Sequence, residues 1–409
     1  MSAAATSRPA ARISPEMIIV AGCLISLLTF GPRSSLGAFQ KDMLTANDWS
    51  REVFSIGIAL QNLLWGIGQP FAGAVADRFG AVRVLCFGAV LYALGLVSMA
   101  YTSNAATYGI TSGLLIGFGL SGCSFNLVLA AFSKLLPDSK RNMALGMGTA
   151  AGSLGQFLFN PLAVGLIGSV GWQSTFLIFA VTTLAVIPLS LSLATPAASR
   201  LPGQGAPQSV VGALREAFGH RSYVLLVLGF FTCGFQLAFI TAHLQIYLTD
   251  KGLLPWVGGT ALALIGLFNI AGSLSAGWLS GRVPKRYILS AIYLARSAIT
   301  LVFLLLPASP ASVFLYAAVS GLLWLSTVPP TSALVNLMFG ARHMAMLYGF
   351  AFFSHQVGGF LGVWLGGRIF DQTGSYVFVW YLSIALGIIS ALINLPIVEK
   401  PVLRAAVAA

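Results

Sequence analysis

The sequence predicts an all-α membrane protein with twelve transmembrane helices in two pseudo-symmetric six-helix bundles, and three observations predict it. Of 409 residues, 57% are apolar and only 8% are charged, against about 25% charged in soluble domains. The apolar residues fall in runs of about 20, long enough to cross a bilayer. Short sequence patterns also recur at nearly one offset in the two halves of the chain. Apolar surface on this scale cannot be hidden behind so few charges in water, whereas in lipid it faces outward. Hydrocarbon offers no hydrogen bonds, so only helices or a closed barrel can span it. Long continuous runs, rather than ten-residue alternating segments, select helices.

The runs place spans at 16–39, 52–76, 83–101, 105–133, 142–168, 173–195, 222–248, 256–280, 287–306, 311–338, 344–367 and 376–397. They divide the chain into a tail (1–15), a first bundle (16–195), a linker (196–221), a second bundle (222–397) and a tail (398–409). The apolar stretch after residue 14 is too long for a cleaved signal peptide and reads as the first span. Pro196, Pro202, Gly203, Gly205 and Pro207 predict a flexible linker.

Sixteen basic residues, Lys134, Arg141 and Lys285 among them, fall on the side of the termini. Four fall on the other: Lys41, Arg51, Lys251 and Arg368. This bias predicts cytoplasmic termini in a cell inner (plasma) membrane. The net charge of +12 is spread over short loops, which argues against nucleic acid as a partner. Cys23, Cys86, Cys123 and Cys233 all fall inside spans and predict packing residues rather than disulfides. No phosphate loop, zinc spacing or nucleophile constellation stands out, so no enzyme, cofactor or metal is expected.

Gly73-Ala-Val-Ala-Asp77-Arg78-Phe-Gly80 follows the second span, and Gly277-Trp-Leu-Ser-Gly281-Arg282-Val-Pro284 follows the eighth, 204 residues later. Phe157-Leu158 and Gly171 recur as Phe360-Leu361 and Gly374, at an offset of 203. A duplicated six-helix unit follows, with a site expected between the halves and alternating access around it. Such a chain is expected to work as a monomer.

The segment Gly73 to Arg83 resembles the loop between spans two and three of the major facilitator superfamily, G-x-x-x-D-R-x-G-x-x-R. The resemblance implies the major facilitator fold. It also implies a conformational latch made of Gly73, Asp77, Arg78, Gly80 and Arg83, with Asp77 accepting hydrogen bonds or pairing with a basic residue. Within that superfamily the whole chain resembles the monocarboxylate porter branch, particularly its bacterial members. The likeness rests on Phe30-Gly-Pro32-Arg33-Ser34, Asp48-Trp49-Ser50, Gly122-Cys-Ser-Phe125-Asn126 and Gly366 to Tyr376. It implies that Arg33 engages a substrate carboxylate. The eukaryotic porters carry an Asp-x-x-x-Arg pair in the eighth span, where this chain has Asn269-Ile-Ala-Gly-Ser273. Lactate–proton symport therefore does not transfer directly.

The residues make an independent case. An ionisable side chain inside a membrane costs about 2.5 kcal/mol or more and survives facing a cavity or a partner. The intramembrane candidates are Arg33, His243, Arg296 and His355, and none of the ten acidic residues falls near a predicted midplane. An incoming anion completes that charge balance. Arg33 offers a carboxylate two parallel hydrogen bonds. His355, Gln356 and Asn126 are expected to assist it, and His243 and Tyr247 share a face of the seventh span. Arg296, in a peripheral span, reads as a structural arginine bonded to helix carbonyls. The expected cargo is a small organic anion, a monocarboxylate by preference, with protons as candidate co-substrates. The rival readings are a transporter of a neutral or drug-like molecule and a non-transporting anion sensor.

Overall fold

The computed structural model describes residues 13–49, 51–195 and 209–402. Arg8, Arg12, Arg200 and Arg404 of the charge count, and the prolines and glycines of the linker, lie outside them. Twelve long helical spans run in order: α1 (Pro15–Ser34), α2 (Arg51–Phe79), α3 (Ala81–Ala100), α4 (Ala105–Leu135), α5 (Asp138–Val170), α6 (Trp172–Leu193), α7 (Arg221–Asp250), α8 (Pro255–Ser280), α9 (Lys285–Leu305), α10 (Pro310–Phe339), α11 (Met344–Thr373) and α12 (Val377–Asn394). No strand occurs among the described residues. α1–α6 form one bundle and α7–α12 the other.

Local chemistry sets the helix ends. Ser14 caps α1, its hydroxyl accepting from the Met17 N–H at 3.2 Å, with Pro15 at the first helical position. Ser309 and Ser312 form a reciprocal capping box at the start of α10. Gly171 ends α5 at φ 83° and Gly374 ends α11 at φ 68°, a left-handed conformation that favours glycine. The Gly171 N–H donates to Ile167 O and the Gly374 N–H to Phe370 O. These four positions share the 203-residue offset of the repeat, so that sequence match marks equivalent helix stops.

Two spans are broken. α4 passes through a π-helical stretch, Gly109–Ile116, and kinks at Ser124. α10 breaks between Leu323 and Val328, just ahead of Pro329 and Pro330. The expected linker also holds a helix, Val210–Gly219, whose cap Ser209 accepts from the Gly212 N–H at 3.0 Å. It is amphipathic, with Ala213 and Ala217 buried and Val211 and Phe218 exposed. Burial of that face holds residues 209–219 against the second bundle, where Phe218 meets Tyr223 and Phe350, whereas the composition of the stretch predicts a flexible connection.

The bundles meet along α2 with α11 and along α5 with α8. Small residues make the contact close. A Cβ on Gly73 would lie 2.3 Å from Ala345 O, and one on Gly349 2.8 Å from Pro70 Cα. A Cβ on Gly146 would lie 3.0 Å from Gly277 Cα. Gly73 and Gly277, equivalent in the repeat, thus each seat a helix of the opposite bundle.

Candidate functional site

Among the described residues, ten helices are long and apolar enough to cross a membrane, and α2 and α11 are not among them. They are the spans that carry Gln61, Asn62 and Gln69, and Ser354, His355 and Gln356. The two least apolar spans therefore face each other between the bundles, where lipid does not reach the shared surface.

Arg33, one residue past Pro32 near the end of α1, donates from Nη2 to Asn62 Oδ1 on α2. Its guanidinium lies over the Trp65 ring at 5.4 Å and the Phe30 ring at 5.8 Å, within cation–π range. Its Nε is buried without a partner. Among the described residues Arg33 forms no ion pair. Gln356 Nε2 donates across the bundle interface to the Asn62 backbone carbonyl at 3.1 Å. Gln356 Oε1 is 3.2 Å from His355 Nδ1. The His355 ring stacks on Phe352, 5.6 Å and 7° apart, and packs against Phe230 of α7 at 5.0 Å. Arg33, Asn62, Gln356 and His355 thus form one connected chain across the two bundles.

Beneath it, on the side of the termini, lies an aromatic layer. Trp65 meets Phe352 at 4.8 Å, and Phe125 meets Phe30 at 5.9 Å and Phe352 at 6.2 Å. Gln69 Oε1 accepts from Trp65 Nε1, Ser124 Oγ and Asn126 Nδ2, each at 3.1 Å. Asn126 reaches Gln69 and has no hydrogen bond to Arg33, so its link to the arginine runs through Gln69 and Trp65. Asn126 Oδ1, Gln69 Nε2 and both polar atoms of Gln61 are buried without partners.

The other cations stand apart. His243 Nε2 donates to Val363 O at 3.0 Å, and the ring packs among Phe239 and Tyr376. Tyr247 joins the same cluster, 5.4 Å from Trp380. Both sit in the core of the second bundle, and among the described residues neither is hydrogen-bonded to the Arg33 chain. Arg296 donates from Nε to Leu323 O at 3.1 Å, and from Nη2 to Leu323 O and Trp324 O. Those carbonyls are freed by the break in α10.

At the end that carries the termini, Asp77 Oδ1 pairs with Lys134 Nζ at 2.6 Å, and both side chains are sealed from solvent. The same carboxylate accepts from the N–H groups of Met346 at 2.9 Å and Ala345 at 3.3 Å, at the start of α11. One bundle's carboxylate caps the other bundle's helix. Gly80, at φ 92°, turns the chain into α3, where the Ala81 N–H donates to Thr195 Oγ1 at 2.9 Å. Arg78 and Arg83 are exposed and form no ion pair among the described residues; the Arg78 guanidinium lies over the Phe79 ring. Lys134, Asn62, Trp65 and Gln69 are the side chains that sequence reasoning did not place. Asn62 and Gln69 carried a signal, as amides inside a span.

Two six-helix bundles with a polar chain at their interface, and a buried ion pair at one end whose carboxylate caps a helix of the other bundle, are the architecture of a multi-pass membrane transporter. The chain belongs to the Major Facilitator Superfamily, whose family model matches residues 22–363. It is 29% identical over 410 residues to the uncharacterized MFS-type transporter YcxA of Bacillus subtilis (strain 168), covering 95% of this chain and 97% of that one. It is 27% identical over 380 residues to monocarboxylate transporter 11 of Homo sapiens, covering 90% and 79%. Among solved structures it is similar to the transporter FucP in its outward conformation, with a TM-score of 0.71 at 16% identity over 92% of this chain and 98% of that one. It is also similar to the proton:xylose symporter XylE, at 0.72 and 14% over 92% and 94%. At such identities these structures show the fold.

Proposed function

We propose that this transporter carries a small organic anion, a monocarboxylate by preference, by alternating access. The observation that supports it is Arg33. Its guanidinium sits at the bundle interface, held by the Asn62 amide and two ring faces, with no carboxylate partner among the described residues. An amide satisfies one donor and neutralises no charge, so an anion that exchanges for Asn62 gains a charge-assisted, bidentate contact. Phe30, Trp65, Phe125 and Phe352 then wall the apolar tail.

His355 and Gln356 are assigned to the same site because Gln356 holds the backbone carbonyl of Asn62, the residue whose side-chain amide an anion displaces from Arg33. His355 is the candidate proton carrier. His243 and Tyr247 pack in the second bundle and are assigned to its core, and Arg296 to holding the break in α10. The loop charges support cytoplasmic termini in a plasma membrane. Monocarboxylate transporters among the relatives support the cargo class.

Uptake of labelled short monocarboxylates into proteoliposomes tests the reading. Arg33→Ala should abolish saturable uptake and Arg33→Lys should retain part of it. Saturable uptake undiminished in Arg33→Ala overturns the site. If the wild type moves a neutral solute of similar size and no carboxylate, the cargo class is overturned. Symport requires net flux to respond to an imposed pH gradient; exchange requires counterflow instead.

A further inference from the structure

A cleft of about 420 Å³ lies at the end that carries the termini, between the bundles. Ser133, Asp138, Arg141 and Asn142 line it from the first bundle, and Lys285 and Asn336 from the second. It is separate from the Arg33 chain: Ser133 lines the cleft, while its neighbour Lys134 closes the latch on Asp77. Asp77 is fifteen residues along α2 from Asn62, about 22 Å of helix. Cleft and latch thus lie side by side at this end, and a solute arriving from it meets both before it meets Arg33.

The two cations of the cleft are incompletely satisfied. Arg141 donates from Nη2 to Leu136 O at 3.1 Å and pairs with Asp138, whose side chain is 88% exposed and so screened by water. Arg141 Nε is buried with no partner. Lys285 Nζ stands 3.7 Å from Glu399 Oε2, longer than a hydrogen bond, and Glu399 Oε1 is taken by the Arg286 N–H. Asn336, whose buried Oδ1 is unpartnered, supplies an amide that can turn either end to a ligand.

We infer that this cleft is a second carboxylate site, beside the latch and away from Arg33, where the cargo docks on arriving from or leaving to the side of the termini. Arg141 and Lys285 hold the carboxylate from opposite bundles, and Asn336 donates its amide. The inference rests on the reading that the cargo is an anion.

Equilibrium binding of a labelled short monocarboxylate to the purified full-length protein tests it. The wild type should bind two per chain. Arg33→Ala should leave one, and Arg33→Ala with Lys285→Gln and Arg141→Gln should leave none. Asn336→Asp places a negative charge in the cleft and should weaken the second site about fivefold, the value of one unit charge about 4 Å away in water. It serves where Arg141→Gln fails to fold, since Arg141 also bonds the end of α4. A wild type with one site, lost in Arg33→Ala, overturns the cleft and keeps the central site. One site that survives Arg33→Ala and is lost in Lys285→Gln keeps the cleft and overturns the central site. Displacement of the second carboxylate by chloride at equal ionic strength overturns the cleft as a carboxylate site.

Discussion

Asp77 and Lys134 form an ion pair whose two side chains are 1% and 2% exposed, and the Asp77 carboxylate also accepts from two backbone N–H groups of α11. The pair itself lies within the first bundle, on α2 and α4. Its carboxylate reaches into the second bundle. Charge, desolvation and bundle closure are therefore joined at one carboxylate.

Breaking one member of such a pair leaves a buried charge and costs about 3–5 kcal/mol, whereas replacing both can be neutral. Asp77→Asn should lower the thermal midpoint and open the end that carries the termini, read as faster alkylation of a Ser124→Cys reporter, a near-isosteric change at a residue that is buried in the parent. Adding Lys134→Met should recover most of the lost stability and none of the closure. Equal labelling in Asp77→Asn and the parent refutes the latch.

Gly73 lets α2 touch the backbone of Ala345, where a Cβ would lie 2.3 Å from a carbonyl oxygen. Backbone cannot step aside as a side-chain tip can. Gly73→Val should hold α2 and α11 apart and lower the maximal transport rate tenfold or more, while binding at Arg33 persists. A variant with normal turnover shows that this contact is dispensable for closure.

Trp65 separates the Arg33 guanidinium from Phe352 and is 3% exposed. Trp65→Ala should cost about 3–5 kcal/mol of stability through the cavity it leaves, and it should raise KM by removing a ring face from both cation and cargo. Trp65→Phe keeps a ring and loses the bond to Gln69, so it should retain transport at reduced affinity. If Trp65→Phe is as poor as Trp65→Ala, the indole N–H bond matters more than the ring.

Arg296 bridges α9 to the break in α10 through the carbonyls of Leu323 and Trp324. Arg296→Leu should lower the thermal midpoint sharply, because it orphans buried carbonyls. Protein that survives purification should bind carboxylate with unchanged affinity. A selective loss of affinity at normal stability would move Arg296 into the site.

The spans were legible in the sequence because lipid selects composition: a run of about 20 apolar residues has few other uses. The repeat was legible because equal helix stops and equal close contacts demand the same small residues, as at Gly171 with Gly374 and Gly73 with Gly277. Arg33 was legible as a cation inside an apolar run. The helix Val210–Gly219 was hidden inside a stretch whose proline and glycine content reads as linker.

The sequence alone determined that this chain crosses a membrane in two related halves and holds positive charge within it, because burial in lipid is decided residue by residue along a helix. Tertiary structure alone decided the partners: Asn62 for Arg33, Lys134 for Asp77, Gln69 for Asn126, Val363 for His243. Each joins residues on different helices, 29 to 120 positions apart. Helical periodicity fixes which face a side chain takes on its own helix, whereas its neighbour depends on how the helices pack.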